Sequence, residues 1–252
     1  MFLYPRGGFM KEISISEKLL YSQREFPVFQ NRMYDSMEEA INCQKGNINI
    51  VENKETGLIY NATFQPELLD YDKNYQNEQA MSSVFQDHLL QVADIIEEHI
   101  GHHNLIEIGC GKGYFLELLQ KKGFDIIGFD PTYEGKNEAI KKSYFSSDMN
   151  LKGEGLILRH VLEHIKDPIS FLNQIREANN SSGKIYIEVP CFDWICERKN
   201  WFDIFYEHVN YFRLNNFHNM FDEVIDSGHI FNGQYLYVVA ELSSLKKPKM
   251  DL

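Results

Sequence analysis

The chain has 252 residues and a formal net charge of −12, with 37 acidic residues against 25 lysines and arginines. This length allows one large domain, or one domain with an N-terminal elaboration, and is ample for a sizeable core. The negative charge argues against nucleic acid or another polyanion as the main partner, because phosphates are bound by clustered Lys and Arg.

Neither a membrane span nor a secretion signal is predicted. No apolar run approaches the roughly 20 residues of a spanning helix, and the apolar N-terminus is interrupted by Pro5, Arg6 and Gly7-Gly8. The cysteines form no paired pattern, which favours a reducing compartment; they are Cys43, Cys110, Cys191 and Cys196. We therefore expect a cytoplasmic protein with a small-molecule substrate and no membrane partner, and the sequence allows a homodimer.

The first hundred residues carry sixteen acids against eight bases and lack a Gly-rich loop. Two β-like stretches, 48–51 and 58–60, precede a long helix that ends near Gly101. Its predicted apolar face contains Met81, Val84, Phe85, Leu89, Val92, Ile95 and Ile96. We expect this helix to pack beside a sheet while its N-terminal turn, with Tyr75, Gln79 and Ser82, closes over a ligand. The predicted organisation is an N-terminal α+β elaboration over 1–75 and a main domain over 76–252.

The segment Glu107-Ile-Gly-Cys-Gly-Lys-Gly-Tyr-Phe115 predicts a ligand-binding turn. The apolar run 105–108 before it indicates a buried strand, and 114–122 after it indicates a helix ended by Gly123. Glycines in such a turn let bare backbone approach a ligand at a helix N-terminus. A second strand, 126–130, ends in Asp130, where a carboxylate can bind a ribose diol. The pattern predicts the first half of a nucleotide-binding α/β domain.

The glycine spacing distinguishes between nucleotides. Dinucleotide sites use Gly-x-Gly-x-x-Gly, whereas this loop reads Gly-x-Gly-x-Gly with Glu107 two residues ahead. A carboxylate there repels a pyrophosphate but suits a ligand with an ammonium and a sulfonium group. S-adenosylmethionine (SAM) fits better than NAD or an unliganded Gly-rich turn, and the segment resembles motif I of the class I SAM-dependent methyltransferases.

Later segments agree with that resemblance. Strands are predicted at 155–158 and 184–189, and the apolar segment 234–240 predicts an antiparallel edge strand. Asp167 predicts an N-cap, with Pro168 in the first helical position. The fold class implied is α/β: a Rossmann-like three-layer sandwich around a seven-stranded, mostly parallel sheet with an antiparallel edge strand. The resemblance implies that Asp148 contacts adenine, and the full predicted cofactor set is Gln79, Glu107, Gly109, Cys110, Gly111, Gly113, Asp130, Pro131, Asp148, Met149, Arg159 and His160.

A narrower resemblance, to bacterial sugar methyltransferases that act on nucleotide-linked deoxysugars and other polysaccharide precursors, spans residues 46–240 with gaps. It is carried by Gly57–Asn61, Phe64, Tyr71-x-x-x-Tyr75, Gln79-x-x-Ser82-x-x-Phe85, Arg159–His164, Glu188–Pro190 and Phe205–His208. Such proteins often bear a Cys-x-x-Cys-Gly zinc module, but the matching positions here are Asn53 and Thr56. The further C-terminal domain of the sugar C-methyltransferases is also missing from the sequence, which favours O-methylation.

No metal is predicted. The segment His160-Val-Leu-Glu163-His164 matches the His-x-x-Glu-His zinc signature of a metallopeptidase class. That signature needs a helix presenting both histidines on one face, and here a strand precedes it and Lys-Asp-Pro follows at once. We expect His160 to line the cofactor pocket, with Glu163 and His164 supporting the loop.

Candidate catalytic residues follow the fifth strand of the main domain. His208 is the predicted general base, because histidine has the unperturbed pKa best matched to neutrality. Glu207 or Asp203 would orient it, and Tyr206 would contact the substrate. A packed, structural His208 is the alternative. Predicted substrate residues are Tyr75, Trp194 and Trp201, and the neighbouring aromatic side chains form either a sugar platform or a packed lid.

The resemblance implies a SAM-dependent methyltransferase that acts on a sugar hydroxyl, in a nucleotide-activated precursor of a surface polysaccharide such as a capsule. Alternatives are C-methylation of a keto-sugar, N-methylation of a small amine or phosphoramidate, and a non-catalytic SAM- or sugar-binding protein.

Overall fold

The computed structural model describes residues 14–29, 32–69, 82–149 and 151–250, arranged around two β-sheets. The strands are β1 (Glu17–Pro27), β2 (Lys45–Asn53), β3 (Ile59–Asn61), β4 (Leu105–Ile108), β5 (Ile126–Phe129), β6 (Ile140–Lys141), β7 (Gly155–Arg159), β8 (Lys184–Pro190), β9 (Asn210–Tyr211), β10 (Val224–Ile230) and β11 (Tyr235–Glu241). The α-helices are α1 (Met37–Ile41), α2 (Ser83–His99), α3 (Tyr114–Lys121), α4 (Pro168–Ala178), α5 (Phe192–Arg198) and α6 (Leu214–Met220).

The larger sheet has seven strands in the order β10-β11-β8-β7-β4-β5-β6. Strands β4 to β8 pair in parallel, whereas β11 pairs antiparallel with both β8 and β10. The predicted α/β class and mostly parallel seven-stranded sheet are confirmed. The position of the antiparallel strand was wrong in detail: β11 lies between β8 and β10, and β10, whose polar sequence gave no strand signal, forms the edge.

The strand order places a ligand crevice between β4 and β7. From β4 the chain proceeds outward to β5 and β6, then returns to the other side of β4 to form β7 and β8. The carboxyl ends of these parallel strands meet at one edge, and open α/β sheets bind ligands where the order reverses. The turns that follow β4 and β7 therefore border the site.

Helices cover both faces of this sheet, as expected of a three-layer sandwich. Residues of α2 and α3 pack with Leu105 and Ile157 on one face, and residues of α4 and α6 pack with Ile106 and Leu158 on the other. This alternation follows from the two-residue period of a strand. The α2 face was predicted well except for Val84, which is exposed, and Met81, which lies outside the described residues.

The smaller sheet is antiparallel, in the order β1-β2-β3-β9. The two β-like stretches of the sequence lie in β2 and β3, whereas β1 was missed. The fourth strand, β9, comes from beyond residue 200 and pairs with Ile59 and Tyr60. The predicted boundary at residue 75 falls in the undescribed segment 70–81, and the N-terminal sheet contains a strand from its far side.

No helix among the described residues is both long enough and apolar enough to cross a lipid bilayer.

Candidate active site

The turn from β4 into α3 presents bare backbone to the crevice. Gly109 has φ of +77°, and a Cβ there would lie 2.4 Å from Val161 Cγ2. Gly111 has φ of +55°, and a Cβ there would meet no atom within 4 Å. Both backbones adopt the left-handed conformation that favours glycine. Gly109 is thus needed for packing against the turn after β7, while open space lies beside Gly111.

Asp130, at the end of β5, holds this loop. Its Oδ2 accepts a 2.8 Å hydrogen bond from the Gly111 N–H, and its Oδ1 accepts bonds from the Thr132 backbone N–H and side-chain hydroxyl at 2.8 and 2.6 Å. Each carboxylate oxygen can accept more than one bond, so these contacts leave capacity for a ligand hydroxyl. The role predicted from sequence, binding a ribose, stays a prediction.

Glu107 is a buried acid at the end of β4. Its side chain is 3% exposed, and its Oε2 has no hydrogen-bond partner within the described part of the chain. Burial raises the pKa of Glu107 to about 7, although Arg159 opposes that rise. A buried polar atom without a partner is uncommon and calls for an explanation. A ligand ammonium group beside Glu107 would supply one.

A second buried acid, Glu188 on β8, gathers four side chains at the crevice. Its Oε1 accepts a hydrogen bond from Arg159 at 3.1 Å and lies 3.0 Å from His88 Nε2 and 2.9 Å from His160 Nε2. Its Oε2 accepts a 2.8 Å bond from the Tyr186 hydroxyl. This network was missed at the sequence level, because His88 is 100 residues from Glu188 and no local motif links them.

The network fixes two predicted cofactor residues. The Arg159 guanidinium lies 4.4 Å from the ring centre of Phe115, on α3, as well as pairing with Glu188. His160 has φ of +53° and donates its backbone N–H to the Glu188 carbonyl. Although burial opposes charge on His160, its contacts with Glu163 and Glu188 raise its pKa to about 9. Such an uncommon backbone conformation persists only where the surroundings enforce it.

Three polar side chains meet just beyond that network: Glu163, His164 and His208. One potential ligand atom from each lies within 4.8 Å of those of the other two. The two imidazole rings pack edge to face with centres 4.8 Å apart. His160 itself contacts two acids, Glu188 through Nε2 and Glu163 through Nδ1. His208 joins Glu163 and His164 from 44 residues along the chain, so the cluster could not be recognised from the local segment.

The electrostatics of this cluster, hereafter the Glu163 cluster, favour an ionised Glu163 and a neutral His208. Burial works against the charge on Glu163, but His160 and His164 lower its pKa below the usual value. Burial, together with the neighbouring His164, lowers the pKa of His208 to about 3. His164 Nδ1 lies 3.0 Å from the Glu207 carbonyl oxygen. Because a carbonyl only accepts, Nδ1 carries a proton, so the neutral form of this ring has its lone pair on Nε2.

An open cavity of about 440 Å³ is connected to this cluster through one shared residue, Phe205. Its wall is aromatic with one cation, and its lining residues are Pro27, Phe29, Arg32, Tyr34, Ala40, Cys43, Trp201, Phe202 and Phe205. The Phe205 ring also packs against His208, with ring centres 4.8 Å apart. The Arg32 guanidinium lies 5.6 Å from the centre of the Tyr34 ring. The cavity therefore suits a flat ligand with negative charge, and Phe205 links it to His208.

Several predicted site residues have other surroundings. Tyr206 is fully buried, accepts a hydrogen bond from the Gln65 N–H and packs against Phe64, so the prediction that it contacts substrate was wrong. Trp194 packs between two core clusters and does not line the cavity, unlike Trp201. Burial raises the pKa of Asp203, whose Oδ2 has no hydrogen-bond partner among the described residues.

The remaining predictions concern the cofactor and the turn carrying His208. The backbone carbonyl oxygen of Glu207 lies 3.0 Å from His164 Nδ1. Asp148 is exposed on a short 3-10 turn, while Met149 packs against the core and Cys110 is buried beside Gly128. Tyr75 and Gln79 lie outside the described residues.

A glycine loop at the switch point, followed by an acid at the end of the next strand, defines a nucleotide-binding α/β site. A family model described as a methyltransferase domain matches residues 72–224, and the chain belongs to that family. Its cofactor is S-adenosyl-L-methionine. The described residues fit this donor, because the space beside Gly111 admits a ligand and the partnerless Glu107 Oε2 suits its ammonium group.

Individual relatives are distant. The C-methyltransferase NovU of Streptomyces niveus is 25% identical over 154 residues, covering 54% of this chain and 36% of that protein. A tRNA U34 carboxymethyltransferase of Campylobacter fetus is 25% identical over 97 residues, covering 32% of this chain and 34% of that protein. The chain thus spans about a third of the length of these curated relatives. The crystal structure of a SAM-dependent methyltransferase from Archaeoglobus fulgidus aligns with a TM-score of 0.44 and 18% identity, covering 64% of this chain and 95% of that one.

Proposed function

We propose that this methyltransferase transfers its methyl group to a hydroxyl of a sugar that is linked to a nucleotide or a similar flat, anionic group. The observation that carries the proposal is the position of Phe205, which lines the aromatic cavity and packs against His208. A ligand that extends from the cavity past Phe205 would bring its far end to His208. Aromatic faces stack on a base, and an arginine pairs with phosphate.

The chain's part in such a reaction is alignment and removal of a proton. The donor supplies a methyl group already activated on a sulfonium. Val161 connects the glycine loop to the Glu163 cluster, because it packs against Gly109 and is followed two residues later by Glu163. Holding acceptor and donor in line accounts for much of the rate enhancement available to such a transfer. A hydroxyl reaching His208 would donate a hydrogen bond to an unprotonated ring nitrogen.

Carbon methylation is the second candidate. It is supported by the relative NovU, whose name is that of a C-methyltransferase. Both reactions need a proton removed from the acceptor, so the Glu163 cluster serves either.

The test is turnover with SAM carrying a ¹³C-labelled methyl group, across a panel of nucleotide sugars and the corresponding free sugars. We expect a new O-methyl carbon signal, and a lower KM for the nucleotide-linked acceptor. Trp201→Ala should raise that KM at least several-fold while leaving the KM for SAM unchanged. The control is Ile225→Ala, which changes a partly exposed apolar residue on β10. A C-methyl or N-methyl signal would replace the O-methyl proposal, and an unchanged KM in Trp201→Ala would remove the cavity from it.

A further inference from the structure

The Glu163 cluster has features that removal of the acceptor proton leaves unexplained. Glu163 is 1% exposed, yet neither carboxylate oxygen has a hydrogen-bond partner of good geometry among the described residues. The negative charge of Glu163 is instead balanced by an ion pair, in which His160 Nδ1 lies 3.4 Å from Oε1. A buried carboxylate normally accepts several hydrogen bonds or coordinates a metal. This acid instead faces two further nitrogen donors.

Both histidines are prepared as ligands. A metal binds the lone pair of a neutral imidazole, and ligating histidines usually donate their other N–H to a carbonyl or carboxylate, which fixes the tautomer. His164 makes that contact through Nδ1 to the Glu207 carbonyl. His208 places a ring nitrogen within 4.8 Å of the ligand atoms of the other two residues. His164 and His208 are only partly buried, so the cluster has an open side.

We propose that Glu163, His164 and His208 bind one divalent transition-metal ion, and that the acceptor hydroxyl coordinates this ion. The second half of the proposal rests on the proposed function, whereas ion binding does not. Two imidazoles and one carboxylate are donors suited to Zn²⁺, Mn²⁺ or Fe²⁺ rather than to Mg²⁺. Tetrahedral ligands at about 2.0–2.2 Å from zinc lie roughly 3.4 Å apart, so the three side chains would move inward to bind it.

The ion would activate the acceptor directly. A hydroxyl bound to a divalent cation becomes more acidic, as water does on zinc. Its O–H proton passes to water at the open side, and the oxygen lone pair forms the new O–CH₃ bond. The C–S bond of the sulfonium breaks at the same time, and its electron pair stays on sulfur.

The first test is calorimetric titration of the chelator-treated, dialysed protein with Zn²⁺. We expect one ion per chain, and an affinity lowered about 100-fold or more in Glu163→Gln, His164→Gln and His208→Gln, at or beyond the upper end for a lost outer-shell partner. His229→Gln, which changes an exposed histidine on β10, is the matched control and should bind as the parent does. Absence of one-to-one binding, or equal affinity in the parent and all three variants, would overturn the proposal.

Three further measurements guard against misfolded variants and separate the two proposals. Each variant should bind S-adenosylhomocysteine as the parent does, and the visible spectrum of the Co²⁺-loaded parent should change when acceptor is added. Full turnover of the parent in EDTA, when the chelator-free titration has shown Zn²⁺ binding at the cluster, would remove the ion from the reaction and leave the proposed function intact. One-to-one binding without methylation of any sugar would support the site and defeat the proposed function.

Discussion

The carboxylate of Asp130 accepts a 2.8 Å hydrogen bond from the backbone N–H of Gly111, and so joins the end of β5 to the glycine loop after β4. One side chain thereby shapes the loop and stands where a ribose is expected. Variants of Asp130 test the charged acceptor, and variants of Gly111 test the open space beside the loop.

Replacing Asp130 should weaken SAM binding. We expect Asp130→Ala to lose about 1.5–3 kcal/mol of binding free energy, since it removes a charged acceptor from both the loop and the ligand. Calorimetric titration with SAM measures this loss. The control is Asp125→Asn, which changes an exposed acid just before β5. Parental affinity in Asp130→Ala would show that the acid does not contribute to the cofactor site.

Gly111 and Gly123 form a matched pair for testing the open space beside the loop. Both have positive φ, and a Cβ at either would meet nothing within 4 Å. Gly111→Ala and Gly123→Ala should each lower stability by about 1–2 kcal/mol, the cost of a left-handed alanine. Only Gly111→Ala should also weaken SAM binding, because only that Cβ enters the crevice. Equal SAM affinity in the two variants, measured by titration, would place the ligand elsewhere.

Glu107 should make stability depend on pH. Burial raises its folded-state pKa from 4.5 to about 7, so the folded chain keeps a proton that the unfolded chain has released. The resulting stabilisation is fully present below pH 4.5 and is lost as the pH rises to about 7. Its size is on the order of 3 kcal/mol, at about 1.4 kcal/mol per pKa unit.

Denaturant unfolding of the parent and Glu107→Gln between pH 4.5 and 8 measures this effect, because other titrating groups cancel in the difference. The variant should gain stability relative to the parent as the pH rises, with no further gain above pH 7.5. SAM affinity of the parent should also rise between pH 5.5 and 7, since an ammonium ligand favours the carboxylate. A difference in stability that does not vary with pH would contradict the assignment.

His208→Asn should keep SAM affinity but lower kcat by roughly 10²–10⁴-fold. The loss should shrink at high pH, where hydroxide removes part of the acceptor's protons. Steady-state kinetics against pH measure both effects, with His229→Asn as the control. If kcat stays near the parental value, His208 is a structural residue and Asp203 and Glu207 are the next variants to examine.

The sequence predicted best what is local. The segment from Leu105 to Asp130 follows from strand, glycine loop, helix and strand signals within some 25 residues, and all were found in place. β10 was missed because Asp226, Ser227, Gly228 and His229 give it no apolar alternation. The partners of the site were missed for another reason. His88 meets Glu188, and His208 meets Glu163, only through the fold, which no window of sequence contains.

The pairing of β3 with β9 has a consequence for the order in which the protein is made. The last strand of the N-terminal sheet is synthesised about 150 residues after its partner. At ribosomal rates of roughly 5–20 residues per second, β3 waits about 8–30 s for β9. During that interval the hydrogen-bonding edge of β3 is open, so the earliest part of the chain to leave the ribosome is among the last to be completed.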